Sequence, residues 1–388
     1  MTARLPFPAL LALAGAALLL GGCGIFGEKD SASEPAELIE FRQTLNVDEV
    51  WSTSVGKGAG RALVSVAPVY VDGRVWVADA GGSITAVDPD SGDKLREIET
   101  DFRISAGPTV TEDSILFGTM NGQLVKMDRA SGEVQWRAQL SSEILARPLL
   151  GEGIVVARCI DGRVFGLDAE SGRRQWVYDR SVPLLTLRGN SAPLIRAGQV
   201  FIGYDDGTVV ALDLTDGARI WEQRVSVPEG RTQLDRLADI DGPMAIVGLD
   251  LMAVSRHGRM ASLALDSGRL LWVKDLASHS GLTVSRTQLA STALDDTVWL
   301  VDRRSGSTLW TNEQLARREL TRPVFQGGFV VVADGLGYLH WLDGETGEFR
   351  ARGRAGKNEP ATAPLVVGNM LFLLDVEGRL SAWRAGAS

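Results

Sequence analysis

The chain has 388 residues, and its 40 lysines and arginines against 49 aspartates and glutamates give a formal net charge of −9. That balance, with no local basic run, excludes the electrostatic footprint of a nucleic-acid-binding protein. A hydrophobic content of 45% supports a large core, and the length admits two domains unless an internal repeat accounts for it.

The N-terminus reads "MTARLPFPALLALAGAALLLGGCG". Arg4 supplies a minimal positive region, and Leu10 to Leu20 an apolar run too short to span a bilayer comfortably. The run ends Leu20-Gly21-Gly22-Cys23, which resembles the lipobox of bacterial lipoproteins. The resemblance implies that residues 1–22 are a signal peptide and that Cys23 carries the lipid, palmitate among its acyl chains. Several acyl chains on one residue give durable membrane anchoring. Gly24 stands where related lipoproteins retained at the inner membrane carry aspartate, which favours the outer membrane with the body in the periplasm. The polar residues after the cysteine, through Asn46, show no sustained period and read as a flexible tether. Cys159, in the apolar run "IVVARCIDG", is the other cysteine; it has no partner for a disulfide and reads as a buried small hydrophobe.

From residue 47 onward the sequence repeats. "ARPLLGEGIVVARCIDGRVFGLDAESGRRQW" is one unit, and an opening proline recurs at Pro68, Pro108, Pro148, Pro193, Pro243, Pro323 and Pro364. Turn pairs fall in step, among them Gly81-Gly82, Asn121-Gly122, Asp161-Gly162 and Asp206-Gly207; such pairs favour two-residue hairpins with φ > 0 at both positions. A second turn of the type "DAESG" follows, and a tryptophan lies four residues past its glycine at Trp136, Trp176, Trp221, Trp272 and Trp310. Four short strands per unit and eight units of about 40 residues predict an all-β, eight-bladed β-propeller of four-stranded antiparallel blades. Each tryptophan can bury about 150–250 Å², an upper estimate of about 4–6 kcal/mol per seam. Arg96 and Ala351 replace it in units one and seven, so weaker seams are expected there. The eighth unit ends three strands in, and "VDEVWSTSV" near the N-terminus carries Trp51 with no preceding hairpin. That strand is expected to close the ring over residues 47–388 and so remove its exposed edges.

No catalytic constellation emerges. Asp88, Asp128, Asp168, Asp213, Asp302 and Asp343 recur once per unit, as turn caps do and catalytic groups do not. His257, His279 and His340 share no metal-ligand spacing. "GKGAG" at residues 56–60 lacks the lysine–serine ending of a phosphate loop, and G-x-S-x-G is absent. "ALDLTDGARIW" resembles the tryptophan-docking repeat of quinoprotein dehydrogenases, which hold pyrroloquinoline quinone and calcium on the propeller axis. The likeness is one of scaffold: the adjacent cysteine pair and long inserts of those enzymes are missing, and fold alone does not carry function. The expectation is a protein with no cofactor and no enzymatic activity. A quinone enzyme and a periplasmic ligand or polymer sensor using the central channel remain the alternatives.

The crossings between blades are uneven. Twelve residues separate Trp136 from Pro148 and 13 separate Trp310 from Pro323, but 17 separate Trp176 from Pro193 and 22 separate Trp221 from Pro243. The two long crossings are consecutive, so they emerge side by side on one rim. They carry "PLLTLRGNSAP" and "QLDRLADIDG", leucines and Arg188 with Asp239 and Asp241 near by. Apolar and arginine anchors ringed by charge are the anatomy of a protein-binding hot spot. The competing reading has the leucines plugging the core and Arg188 pairing internally with Asp239 or Asp241. With the lipoprotein signal and the propeller, "LLTLRGNSAP" and "DRLADIDG" resemble the BamB family. These are lipoprotein subunits of the Bam complex, the machinery that folds β-barrel proteins into the outer membrane of Gram-negative bacteria. The resemblance runs from Cys23 to the C-terminus. It implies a scaffold whose two loops dock on a periplasmic POTRA domain of the barrel subunit BamA through Leu185, Leu187, Arg188, Asp239 and Asp241. It leaves open whether unfolded outer-membrane proteins are a further partner.

Overall fold

The computed structural model describes residues 34–58, 64–180, 191–226, 239–240, 242–256 and 258–386. Among them are 32 strands and no helix, arranged as eight four-stranded antiparallel sheets. Seven blades run consecutively along the chain, at 69–99, 104–139, 149–178, 194–224, 245–275, 282–312 and 324–354. The eighth takes three strands from 365–385 and its outermost from Val47–Ser54, which pairs antiparallel with Arg379–Ala385. The fold is therefore the expected eight-bladed β-propeller closed by its N-terminal strand.

One repeated contact joins blade to blade at six of the eight seams. In blade three, for example, the second and third strands are buried on both faces, while the fourth alternates between exposure and its inward tryptophan. The indole N–H of Trp136 donates to the Ala169 carbonyl of the next blade at 3.0 Å, and Trp176 to Leu214 at 2.9 Å. Trp221 reaches Leu265, Trp272 reaches Arg303 and Trp310 reaches Gly344 in the same way. Each acceptor opens the turn whose glycine lies flat beneath the ring. A Cβ on Gly172 would stand 2.6 Å from Trp136, and one on Gly217 2.7 Å from Trp176. A buried indole thus gains its area and satisfies its polar atom at once. Trp51 of the N-terminal strand donates to Pro89 of blade one at 3.0 Å, so ring closure uses the same joint as the other seams.

The turns themselves are capped as the period implied. Asp88 accepts the amides of Asp90 and Ser91 at 2.9 Å each, and Asp168 and Asp302 each accept an amide at 2.8 Å. The Ser91 amide chiefly holds the Asp88 carboxyl below the usual range.

Three features were not anticipated from the sequence. The hairpins between second and third strands are not two-residue turns: Asp79 N–H donates to Ser83 across a three-residue loop in which only Gly82 has positive φ. The longer loop lets the Asp79 carboxylate collect the Gly82 and Ser83 amides at 2.8 Å. Turns with both residues at positive φ occur instead between first and second strands, at Asp72-Gly73, Glu152-Gly153 and Ala197-Gly198. Second, the seams without tryptophan are filled otherwise. Ile98 packs on Gly132 between blades one and two, while Trp341 and Trp383, 6.2 Å apart, fill the seam between blades seven and eight.

Third, the tether does not extend to Asn46. Pro35–Ser388 form one unit, and Leu38, Ile39 and Phe41 pack against the core between blades six and seven. Leu45 is buried beside Trp341 and Trp383. Backbone bonds from Ala36 to Ala316 and from Thr44 and Leu45 to Arg350 fix this strap. Four apolar side chains with no regular spacing have enough area to dock but no period to announce it.

The indole joint makes a graded prediction. Gly153, at φ 79°, would place a Cβ in open space, whereas Gly172, at φ 67°, would drive it into Trp136. Gly153→Ala should cost about 1 kcal/mol of backbone strain, and Gly172→Ala about 1–3 kcal/mol more, read as the difference in urea unfolding midpoints.

Candidate docking rim

The two long crossings leave blades three and four and return to blades four and five. Leu185, Leu187, Arg188 and Asp241 lie outside the described residues, and so does His257; the structure describes the ground from which the crossings rise. That ground is charged and buried. Arg158 ends the second strand of blade three with no exposed side-chain surface, and its Nη2 lies 3.2 Å from the Asp205 carboxylate of blade four. Its Nη1 donates to the Ser191 carbonyl at 3.2 Å, where the first crossing comes down. Burial raises the Asp205 carboxyl above its ordinary range, with Arg158 opposing that effect.

The departing end is held by a second arginine. Burial works against the charge on Arg180, but Asp206 at 2.6 Å and Glu222 at 2.9 Å more than offset it and leave the guanidinium more basic than usual. Tyr204 lies between the two cations, with its ring centre 5.1 Å from Arg158 and 4.8 Å from Arg180. Such stacking attracts a cation to the ring face, and burial pushes the phenol well above its ordinary range. The two arginines, Tyr204 and three carboxylates form one network that holds the described ends of the first crossing, at Arg180 and Ser191.

The second crossing returns through a tight gap. Ile240 is buried and its N–H donates to the Tyr204 carbonyl at 3.2 Å. It presses on Gly203, where an added Cβ would stand 2.5 Å from the Ile240 side chain. Asp239 is 1% exposed, and its carbonyl accepts the Arg256 amide of blade five at 2.8 Å. Of the five residues expected to contact a partner, Asp239 alone lies among the described residues, at the base of the second crossing. Both crossings are thus tied to the tip of blade four.

The network was missed in the sequence, although one signal was there. The residue ending the second strand is Ala78, Thr119, Gly203, Val254, Thr292, Ala333 or Leu374 in the other blades, and Arg158 is the one charged residue among the eight. Among the described residues no three histidine, cysteine or acidic side chains are grouped to hold a metal. Cys159 is buried, and that burial raises its thiol pKa.

The geometry defines the class: an eight-bladed β-propeller in which the described ends of two long crossings are tied to buried charge and backbone at the tip of blade four. A family model described as outer membrane protein assembly factor BamB matches residues 81–312. Relatives so described include one from Xanthomonas campestris pv. campestris, 38% identical over 97% of both chains, and one from Pseudomonas aeruginosa, 44% identical over 97% of both. The crystal structure of BamB from Moraxella catarrhalis superimposes with a TM-score of 0.79 at 29% identity, covering 87% of this chain and all of that one. The chain belongs to the BamB family of outer membrane protein assembly factors, and it is not an enzyme. Quinohemoprotein alcohol dehydrogenase from Comamonas testosteroni, with a TM-score of 0.68 and 14% identity over 87% of this chain and 76% of that one, shares the fold alone.

Removing one partner of the Arg158–Asp205 pair strands the other in a dry seam. Arg158→Met should lower stability by about 3–5 kcal/mol, and Arg158→Met with Asp205→Leu should recover much of that loss. Urea unfolding of the purified variants measures both; equal losses in the single and double variants would contradict a coupled pair.

Proposed function

We propose that the protein is a lipid-anchored scaffold on the periplasmic face of the outer membrane, a subunit of the Bam complex. In this reading it grips a POTRA domain of BamA through the rim formed by its two long crossings. Cys23 carries the acyl chains, and residues 24–34 join the anchor to the strap. Leu185, Leu187, Arg188 and Asp241 meet the partner, while Asp239 holds the foot of the second crossing. The ring contributes rigidity: a surface already fixed before contact loses less conformational entropy on binding.

The observation that carries this reading is the buried Arg158–Asp205–Ser191 bond set at the returning end of the first crossing. A loop that served only to connect two strands would need no charged base, and burying one costs free energy unless both charges are paired. Such a base is what a loop requires if its tip must hold one shape. The family to which the chain belongs supports the choice of partner.

Leu187→Ala and Arg188→Ala should each weaken binding to the purified periplasmic domains of BamA by about 1–3 kcal/mol, roughly fivefold to 150-fold in Kd. Thermal unfolding should stay unchanged. Titration calorimetry measures the affinity, and wild-type affinity in both variants would refute this contact surface.

A further inference from the structure

Away from the rim, blade seven contains a second buried charged network, and it holds the N-terminal strap. Asp334 and His340 have no exposed side-chain surface, and their Oδ2 and Nε2 atoms are 3.0 Å apart. Asp334 also accepts Nε of Arg318 at 2.7 Å and the amides of Leu336 and Tyr338 at 3.0 and 2.9 Å. Arg352 Nε lies 3.3 Å from the other ring nitrogen of His340. Both arginines then reach outward to the strap: Arg318 Nη1 donates to the Ala36 carbonyl at 2.8 Å, and Arg352 Nη1 to the Ile39 carbonyl at 3.1 Å. Arg352 also lies between Phe41 of the strap and Phe349 of the blade, 5.0 and 5.6 Å from their ring centres.

The donors and acceptors fix the state of the histidine. A guanidinium can only donate, so Nδ1 of His340 must accept from Arg352, and the proton resides on Nε2, facing Asp334. The ring is neutral in this arrangement. A proton added at Nδ1 would replace the acceptor with a donor aimed at a cation, and the Arg352 bond could not survive. The charged groups around the ring reinforce this. Asp334, on the hairpin tip, is the one acid that favours the imidazolium; Arg318, from the crossing between blades six and seven, and Arg352, from the fourth strand, both oppose it. Tyr338 lies 6.3 Å away on the third strand and carries Arg354 over its far side. Burial is the largest influence and pushes the His340 pKa below the ordinary histidine value.

We infer that His340 is the pin of a latch: its neutral form holds Arg352 on the Ile39 carbonyl, and its protonation releases residues 35–45 from blade seven. The sign follows from linkage. Arg352 occupies Nδ1 while the strap is docked, and Nδ1 can take a proton only once Arg352 moves away. The released state therefore binds the proton more readily, so the docked strap is favoured at neutral pH and loses stability as pH falls below the ordinary histidine range. If Cys23 is the membrane anchor, as proposed above, release would add 11 residues of free chain, an extension of up to about 35–40 Å. The rim could then stand farther from the membrane without leaving it.

The test reads the strap itself and needs no membrane. Hydrogen exchange of residues 36–45 in the detergent-solubilised full chain, corrected for intrinsic rates, is compared at pH 7.5 and pH 4.5. The latch predicts at least tenfold faster corrected exchange at pH 4.5, with strands 149–178 unchanged. His340→Gln can accept from Arg352 and donate to Asp334 but cannot titrate, so its strap should stay protected at both pH values. Phe41→Ala leaves the pin intact and weakens the docking, so its strap should open at a higher pH than wild type. Equal protection of the wild-type strap at both pH values, or an unchanged pH response in His340→Gln, would overturn the latch. Either result would leave the anchoring and docking readings untouched.

Discussion

The ring depends on one joint, an indole laid on the glycine of the next blade's turn with its N–H on that turn's carbonyl. A four-stranded blade has two apolar faces and cannot bury either alone; a neighbour on each side must do so. Apolar area would drive such packing at many angles, because it is non-directional. The hydrogen bond and the close glycine select one. Repetition of the joint makes the angle between blades uniform, and uniform angles let the last blade meet the first. Trp51 shows that closure is made by this same joint, although its strand comes from the other end of the chain. Where the tryptophan is missing, the ring substitutes area for direction, with Ile98 in one seam and a pair of indoles in another.

A rigid ring explains where charge can be buried. Arg158 and Asp205 belong to different blades, and their bond survives only if the seam between those blades keeps its width. The pair, the Ser191 carbonyl and the Tyr204 ring then tie the first crossing to blades three and four, while Ile240 and Asp239 thread the second between blades four and five. The latch in blade seven follows the same design, with arginines anchored on a buried acid and reaching out to backbone carbonyls of an irregular segment. Aperiodic chain is thus fixed to periodic chain by cations, which can satisfy carbonyls that no strand pairs.

How much of this could be read from the sequence follows from periodicity. The blades, the turn aspartates, the tryptophan spacing and the closing strand recur or complete a recurrence, and all were legible. The hairpin tips were placed correctly but given the wrong geometry, because a glycine at positive φ signals a turn without saying whether one residue or two precede it. The strap was missed: Leu38, Ile39, Phe41 and Leu45 follow no helical or strand period, and their binding surface is made by residues some 300 positions away. The sequence put Asp239 in the second crossing but not its burial; only the fold places it between the tips of blades four and five. Arg158 could have been found by aligning the repeats and asking which position breaks its own rule.

The central claim is that the ring offers its partner one rim, the one above blades three to five. Photo-crosslinking from single benzoylphenylalanine substitutions tests it in intact envelopes, with one probe at Leu187 and one at the exposed Lys357 in the crossing between blades seven and eight. A covalent adduct with BamA from position 187 and none from position 357 is the predicted result. Adducts of equal yield from both positions, or from position 357 alone, would contradict it.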